Sequence, residues 1–258
     1  MNRALWISAT GMQSQQALTD TIANNMANVN TTGFKRSVVH FEDLIYQTEQ
    51  APGAETSGES RPVGIEKGSG VKTVAISKIF TQGTLKNSSS PLDLAIEGKG
   101  FFEVQLPDGS TAYTRAGKFS MDPNGQVVTT HGYVVQGFPS LNTNASLLEI
   151  SADGTISQLI GGTSISAGQI SLSRFPNVEG LSSIGQGLFL ETSASGTPIS
   201  STPGSGSVGN IAQYFLEGSN VEIITEMVEL IAAQRAYELQ SKSIRTADEM
   251  LRMTNNMK

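Results

Sequence analysis

Catalysis and metal binding need a few reactive side chains in set patterns, and this sequence is sparing with them. It has no cysteine and only two histidines, His40 and His131. Thiol nucleophiles, cysteine metal sites and disulfide scaffolds are excluded, and a multi-histidine metal cage is nearly so. Neither histidine has a carboxylate or nucleophile at motif spacing, and a lone histidine is most often structural or solvated. Asp93 and Glu97 share one face of an alternating run, as paired acid–base carboxylates would, but solvated charges are the ordinary explanation. Asp122-Pro123-Asn124-Gly125-Gln126 begins like a calcium loop. Such a loop needs Gly sixth and Glu twelfth; here Gly is fourth and Tyr133 is twelfth, so a hairpin turn is expected. Gly204 to Gly209 spells GxGxxG, yet a dinucleotide loop needs a strand before it and a helix after it. Pro203 precedes this run and a strand-like segment, Asn210–Phe215, follows, which makes it a linker. No constellation argues for catalysis, and no cofactor or metal is expected.

The composition excludes other classes. The formal charge is −6 with no basic run, so there is no electrostatic footprint for nucleic acid and no attraction to an anionic membrane surface. Aromatics are 6% of the 258 residues, so a β core must pack mainly with Val, Ile, Leu and a few Phe. The apolar run Ala4–Ile7 is broken at once by Ser8, Thr10 and Gly11, far short of the roughly 7–15 residues of a secretory signal core. No window approaches the roughly 18 apolar residues of a membrane span. The chain is expected to stay in the cytoplasm or to leave it by a route that keeps its start intact, without membrane insertion.

The chain ends differ from its middle. Residues 2–30 read as a helix, with Leu5, Met12 and Met26 at one heptad position and Ile22 and Val29 at the partner position. Ser8, Gln15 and Thr19 interrupt this seam. Asn24, Asn25, Asn28 and Asn30 crowd its last turns, and Gly33 is the expected left-handed cap. Such a helix is marginal alone, so the sequence predicts that it is disordered in the free monomer. Residues 34–46 read as a short helix or extended arm, with Phe41, Leu44, Ile45 and Tyr46 on its apolar side. Residues 47–64, with Pro52, Gly53 and Pro62, have little to bury and read as a linker, either a plain connector or a loop that orders against a neighbour.

From 70 to 138 the period is two, with hairpin turns at Pro107-Asp108-Gly109 and Pro123-Asn124-Gly125. Residues 139–210 are weaker, with strands expected at 147–150, 155–159, 169–174 and 188–192 and a low-complexity run at 193–209. Ser219-Asn220-Val221-Glu222 reads as a capping box. Behind it, Ile223, Leu230, Tyr237, Ile244 and Leu251 fall seven apart, Met227 adds a partner position, and Ile224 and Ile231 widen the stripe. At 1.5 Å per residue this helix is roughly 50 Å long, too long for a small β domain to cover. Its apolar side needs another long helix, from the same chain or another copy. The fold class is α+β: terminal helices pairing as a coiled-coil-like domain (1–33 with 221–258), a connecting arm (34–69), a mostly antiparallel β domain (70–210) and a return connection (211–220).

Several motifs, in order, are similar to the bacterial flagellar rod and hook axial proteins, most of all their distal-rod branch. Ala4–Met12 with Gln15-Gln16 resembles the opening of that branch. Ile22–Arg36, with Asn24, Asn25, Asn28, Asn30, Gly33 and Phe34, resembles the N-terminal motif of the whole family. Ser219-Asn220-Val221, Glu226-Met227-Val228, Gln234-Arg235-Ala236-Tyr237-Glu238 and Ala247–Leu251 resemble its C-terminal motif. Pro91–Gly98 and Ala112–Gly117 are also similar. The resemblance implies a structural subunit, not an enzyme. It would leave through the flagellar type III export apparatus uncleaved and polymerise helically into a rigid, hollow, torque-transmitting rod across the periplasm. Its terminal helices would line the channel and its β domain would lie outside. Implied neighbours are further copies, proximal rod subunits, hook-side junction proteins and the bushing rings. Distal-rod members carry an extra stiffening segment where residues 46–64 stand, which marks Tyr46, Pro52, Gly53 and Pro62. Two departures stand out: Tyr214 replaces the family's usual glycine before Phe215-Leu216-Glu217, and Phe175-Pro176-Asn177 inverts the usual Asn-Pro order. A proximal rod or hook-type subunit is the alternative within the family. A β-rich peptidoglycan- or ring-binding module is an alternative of another class.

Overall fold

The structure is a computed structural model that describes residues 3–50, 55–56, 59–60, 63–143, 145–205 and 208–256. It is α+β, with a helix at each end and antiparallel strands between them. Packing divides it into two units: residues 1–27, 37–78 and 222–258 form one, and 28–36 with 79–221 form the other.

In the first unit, α1 (Arg3–Ala27) and α2 (Ile223–Asn256) run antiparallel. Ser8 Oγ donates to Ser243 Oγ at 3.3 Å and Asn25 Nδ2 donates to Glu226 Oε2 at 3.2 Å. A Cβ placed on Gly11 would lie 2.6 Å from Gln240 Nε2. Three residues forward on α1 match three back on α2, and the next fourteen match fourteen, so the register holds over four turns. The face that α1 buries is small and polar: Ser8, Gly11, Ser14, Thr21 and Asn25, with Ile22 the one large apolar residue. On α2 the buried positions are Glu226, Ala233 and Ala247, with Gln240 half-buried among them. They form a heptad that lies three residues beyond the expected apolar one. Small residues let two helix backbones approach closely, and here they displace the large ones from the seam.

Helix α1 stops at Ala27, short of the expected 30. Thr31 donates its N–H to the Asn28 carbonyl and its hydroxyl to Asn28 Oδ1, and such local bonds compete with the helical ladder. Gly33 has the expected positive φ of 70°, but it lies six residues past the helix and does not cap it. The capping box is not formed either. Ser219 Oγ accepts from Val221 N, and Thr225 Oγ1 donates to the Glu222 carboxylate, so Glu222 directly precedes a helix that starts at Ile223.

The arm is extended, as Ser37–Asp43. Its partner is Val71–Lys78, the strand expected to open the β domain at 70. Period two identifies a strand but not its partner. A bulge at His40/Phe41 leaves Val74 unpaired. Residues 47–64 are a ribbon where described: Gln47–Gln50 pairs with Ile65–Lys67, and Glu55–Thr56 pairs with Glu59–Ser60. Arg3 anchors its base by donating to Gln47 Oε1 at 2.7 Å and to the Lys67 carbonyl at 2.9 Å.

The second unit is built on a seven-stranded antiparallel sheet. Both expected hairpins form, 102–105 with 111–114 and 119–121 with 127–129, and Gly109 and Gly125 have positive φ. Strand 134–136 inserts between 127–129 and 102–105. A three-stranded sheet joins 147–150, 155–160 and 163–169. Its last strand was not expected, because a run of mostly small and polar residues with one large apolar side chain, Ile165, carries no alternation. The return segment 211–220 is not a plain connection: Asn210–Gln213 pairs with Leu94–Glu97, and Phe215–Glu217 pairs with Leu85–Asn87. The main core gathers Leu94, Ile96, Phe102, Phe119, Val127, Ile156, Ile170 and Leu172. A smaller aromatic cluster holds Phe101, Tyr113, Phe175 and Phe189.

Tyr214 joins those two return strands with φ 64°. That left-handed conformation costs a non-glycine residue roughly 1–2 kcal/mol. Tyr214→Gly is expected to raise the stability of this unit by about 1 kcal/mol, read from the midpoint of urea unfolding. An unchanged or lower midpoint counts against strain at this position.

Candidate assembly surface and buried junction

The motif residues separate into those that hold each unit together and those left on its surface. Asn25 is buried, and its side chain works as a piece of backbone. Oδ1 accepts from Ser37 N and Nδ2 donates to Ser37 O, both at 2.9 Å. This pins the arm to α1. Asn220 does the same in the second unit, where Oδ1 accepts from Arg36 N at 2.7 Å and Nδ2 donates to the Ile79 carbonyl at 2.8 Å and to Thr81.

Beside that clamp lies a buried charge junction that the sequence did not announce. Lys35 Nζ is 2.6 Å from Glu217 Oε1, and Arg115 Nη1 is 3.4 Å from Glu217 Oε2. Lys35 and Glu217 are fully buried and Arg115 is 4% exposed. Lys35 also donates to the Thr81 carbonyl and Arg115 to those of Ile96 and Gly98, while Gly83 N donates to Glu217 Oε1. Burial pulls the Lys35 ammonium below its ordinary value, against the pull of the Glu217 carboxylate. Arg115 is lowered by burial in the same way. These charges come from the Phe34-Lys35-Arg36, Thr114-Arg115-Ala116 and Leu216-Glu217 motif segments. In a sequence they look like any surface charge. Gly33 completes the junction by donating its N–H to the Glu217 carbonyl at 2.8 Å. A side chain there would meet Ala116 N at 2.7 Å.

The expected helix-packing residues mostly lie outside the α1–α2 seam. Ile22 is buried; Leu5, Met12, Met26, Leu230 and Ile244 are half-buried; Val29 lies past the end of α1. Ile223, Met227, Tyr237 and Leu251 are 44–48% exposed. Ile224, Val228 and Leu239 are more exposed still, at 74%, 62% and 68%, as is Trp6 on α1 at 58%. Gln234 and Tyr237 line an open groove with Gln16, Thr19 and Glu238, and Arg235 points to solvent beside Glu238. Asn24 and Asn30 are exposed, and Asn28 and Phe34 are half-buried. Tyr46 is half exposed at the base of the ribbon; Pro52, Gly53 and Pro62 lie outside the described residues.

The chemistry-bearing candidates do not come together. Asp93 is buried and bonded to Ser88 Oγ, whereas Glu97 is exposed, so they do not act as a pair. Asp122 Oδ1 accepts from Asn124 N and Gln126 N inside a hairpin turn. Gly209 leads into a strand, not a helix. His40 Nε2 meets Ser77 Oγ at 2.8 Å. Among the described residues no cluster of three metal-ligating side chains occurs, and no helix is long and apolar enough to cross a membrane.

Three family models match the chain: the flagella basal body rod protein over residues 5–35, the flagellar hook protein FlgE/F/G D1 domain over 95–158, and the flagellar basal body rod FlgEFG protein C-terminal region over 212–257. The flagellar basal-body rod protein FlgG of Buchnera aphidicola subsp. Baizongia pistaciae is 48% identical, covering 96% of both chains. FlgG of Borreliella burgdorferi is 48% identical, covering 100% of this chain and 99% of its own. In Caulobacter vibrioides, FlgG is 45% identical over 99% of this chain and FlgF 34% over 98%, so the similarity leans to the first. The chain belongs to the flagellar basal-body rod protein family, in which it is a structural subunit of the distal rod and not an enzyme.

Proposed function

We propose that the subunit polymerises helically through its terminal helices into a rigid hollow shaft that transmits torque and encloses the export channel. The helix pair is its coiled-coil-like inner part. The observation that carries this reading is the apolar stripe of α2. Ile223, Ile224, Met227, Val228, Ile231 and Leu251 are large, apolar and left in water although α1 is already paired. Monomeric proteins rarely keep contiguous apolar patches of this kind, and larger ones mark protein contacts. Further copies supply the apolar cover, and the predicted helix-packing residues serve between copies. Proximal rod subunits, hook-side junction proteins, the bushing rings and the export apparatus are the other neighbours of such a shaft.

Ile224→Glu with Ile231→Glu places charge on the stripe without touching the α1–α2 seam. The variant is expected to stay monomeric at concentrations where the parent forms tubes in electron micrographs. In that monomer, residues 1–30 are expected to leave the seam and exchange their amides freely, the α1–α2 pairing being the arrangement held in the assembly, because ordering entropy is recovered only there. Tubes from the variant would remove the stripe from the interface, and full protection of residues 1–30 would remove the disordered-monomer step.

The ribbon at 47–67 is proposed to brace neighbouring copies, since its strands are exposed and Arg3 ties it to α1. Deleting residues 47–64 is expected to soften the shaft severalfold in persistence length, measured from filament images. Unchanged stiffness would leave the ribbon without that role.

A further inference from the structure

We propose that a cavity beside the buried junction is a binding site for a carboxylate carried on a short apolar stem. The cavity holds about 170 Å³ and lies within the second unit. Phe80, Phe101 and Phe175 wall it, and Lys99, Arg115 and Arg174 supply the charge. The phenyl rings meet edge to face, with Phe101 centred 5.6 Å from Phe80 and 5.9 Å from Phe175. The Arg115 guanidinium carbon sits 5.5 Å from the centre of the Phe101 ring.

Three features point to an anion. Arg115 is 4% exposed and spends Nη1 and Nη2 on the carbonyls of Ile96 and Gly98, but its buried Nε–H has no acceptor. A buried donor left unmade is costly. Arg174 is half-buried and Lys99 is exposed, and among the described residues neither side chain has a hydrogen bond or ion pair. Among the described residues Glu217 is the one carboxylate paired with Arg115, and it also serves Lys35. An acidic chain thus keeps a local surplus of positive charge around an empty space.

Size and shape narrow the class. A guanidinium fork matches a planar carboxylate. Phenyl walls offer nothing to the oxygens of a larger, strongly hydrated anion, but they suit one or two methylene groups. An Asp or Glu side chain and a free short-chain acid share this chemistry. The first source is an acidic side chain of a second copy, and this version rests on the polymer reading above.

The test uses the full-length isotope-labelled chain and sodium propionate, with propionamide and sodium chloride as controls. The Arg115 Nε–H resonance is expected to move saturably with propionate and to stay put with either control. Arg174→Gln is expected to weaken the response at least tenfold while the other resonances keep their dispersion. No movement, equal movement with propionamide or chloride, or indifference to Arg174→Gln overturns the proposal. Light scattering then separates the sources. If a neighbour's side chain fills the cavity, propionate and Arg174→Gln each raise the concentration needed for assembly about tenfold; if a free acid fills it, neither does. A parent chain that never assembles, with or without propionate, defeats the polymer reading and leaves the binding result standing.

Discussion

Glu217→Leu is expected to cost the second unit about 3–5 kcal/mol, the usual penalty for stranding a buried charge. The carboxylate lies between Lys35 and Arg115 and accepts from Gly83 N. Its removal leaves two buried cations facing each other. The pH dependence follows from Lys35, whose ammonium is already lowered by burial. Without Glu217 it falls further. Between that folded value and the ordinary 10.5, the unfolded chain binds the proton more tightly, so the variant regains stability as pH rises through the window. Adding Lys35→Met to Glu217→Leu is expected to recover part of the loss, because an apolar pair can replace a buried ion pair at little cost. Urea unfolding of the single and double variants, at neutral pH and near pH 10, measures both effects. A single variant within 1 kcal/mol of the parent would show that the junction contributes no stability.

Gly117→Ala is expected to be at least as damaging. A Cβ on Gly117 would stand 1.5 Å from the Leu94 carbonyl oxygen, an overlap that no rotamer change relieves because the obstacle is backbone. The two chains are also bonded, with Leu94 N donating to the Gly117 carbonyl at 2.9 Å. Separating them pulls fully buried Leu94 out of the main core. The expected loss is more than about 4 kcal/mol, in the range reserved for core disruption and a large share of a domain's total of about 5–15 kcal/mol. Circular dichroism during urea unfolding should show the strand signal of this unit lost at much lower denaturant. A midpoint close to that of the parent would mean that the backbones are not in contact there.

Both predictions rest on residues whose importance the sequence hid. The helices, the two Pro-Asx-Gly hairpins and the α+β class were legible, because heptad spacing and turn chemistry are local signals. Partner choice was not. Val71–Lys78 alternates as well as any strand here, and nothing in that alternation says that it pairs with Ser37–Asp43. Strand 163–169 is exposed over its first four residues and meets the core only through Ala167, so it has little pattern to read. Leu230 and Tyr237 drew attention because large apolar residues dominate a periodicity argument. The positions that meet α1, namely Glu226, Ala233, Gln240 and Ala247, are equally periodic but small or polar. Lys35, Arg115 and Glu217 were visible only as members of motifs, since burial of a charge depends on segments far apart in the chain.

The α1–α2 seam joins Ser8 to Ser243 and Asn25 to Glu226, 235 and 201 residues apart, so α1 waits for a segment synthesised long after it. A product terminated near residue 222 still owns every strand of the second unit but has nothing to lay along α1. Translation that stops early therefore yields a molecule with finished sheets and a bare opening helix. The seam thus makes the pairing of α1 depend on a stretch of chain two hundred or more residues away, long after every sheet of the second unit has its strands.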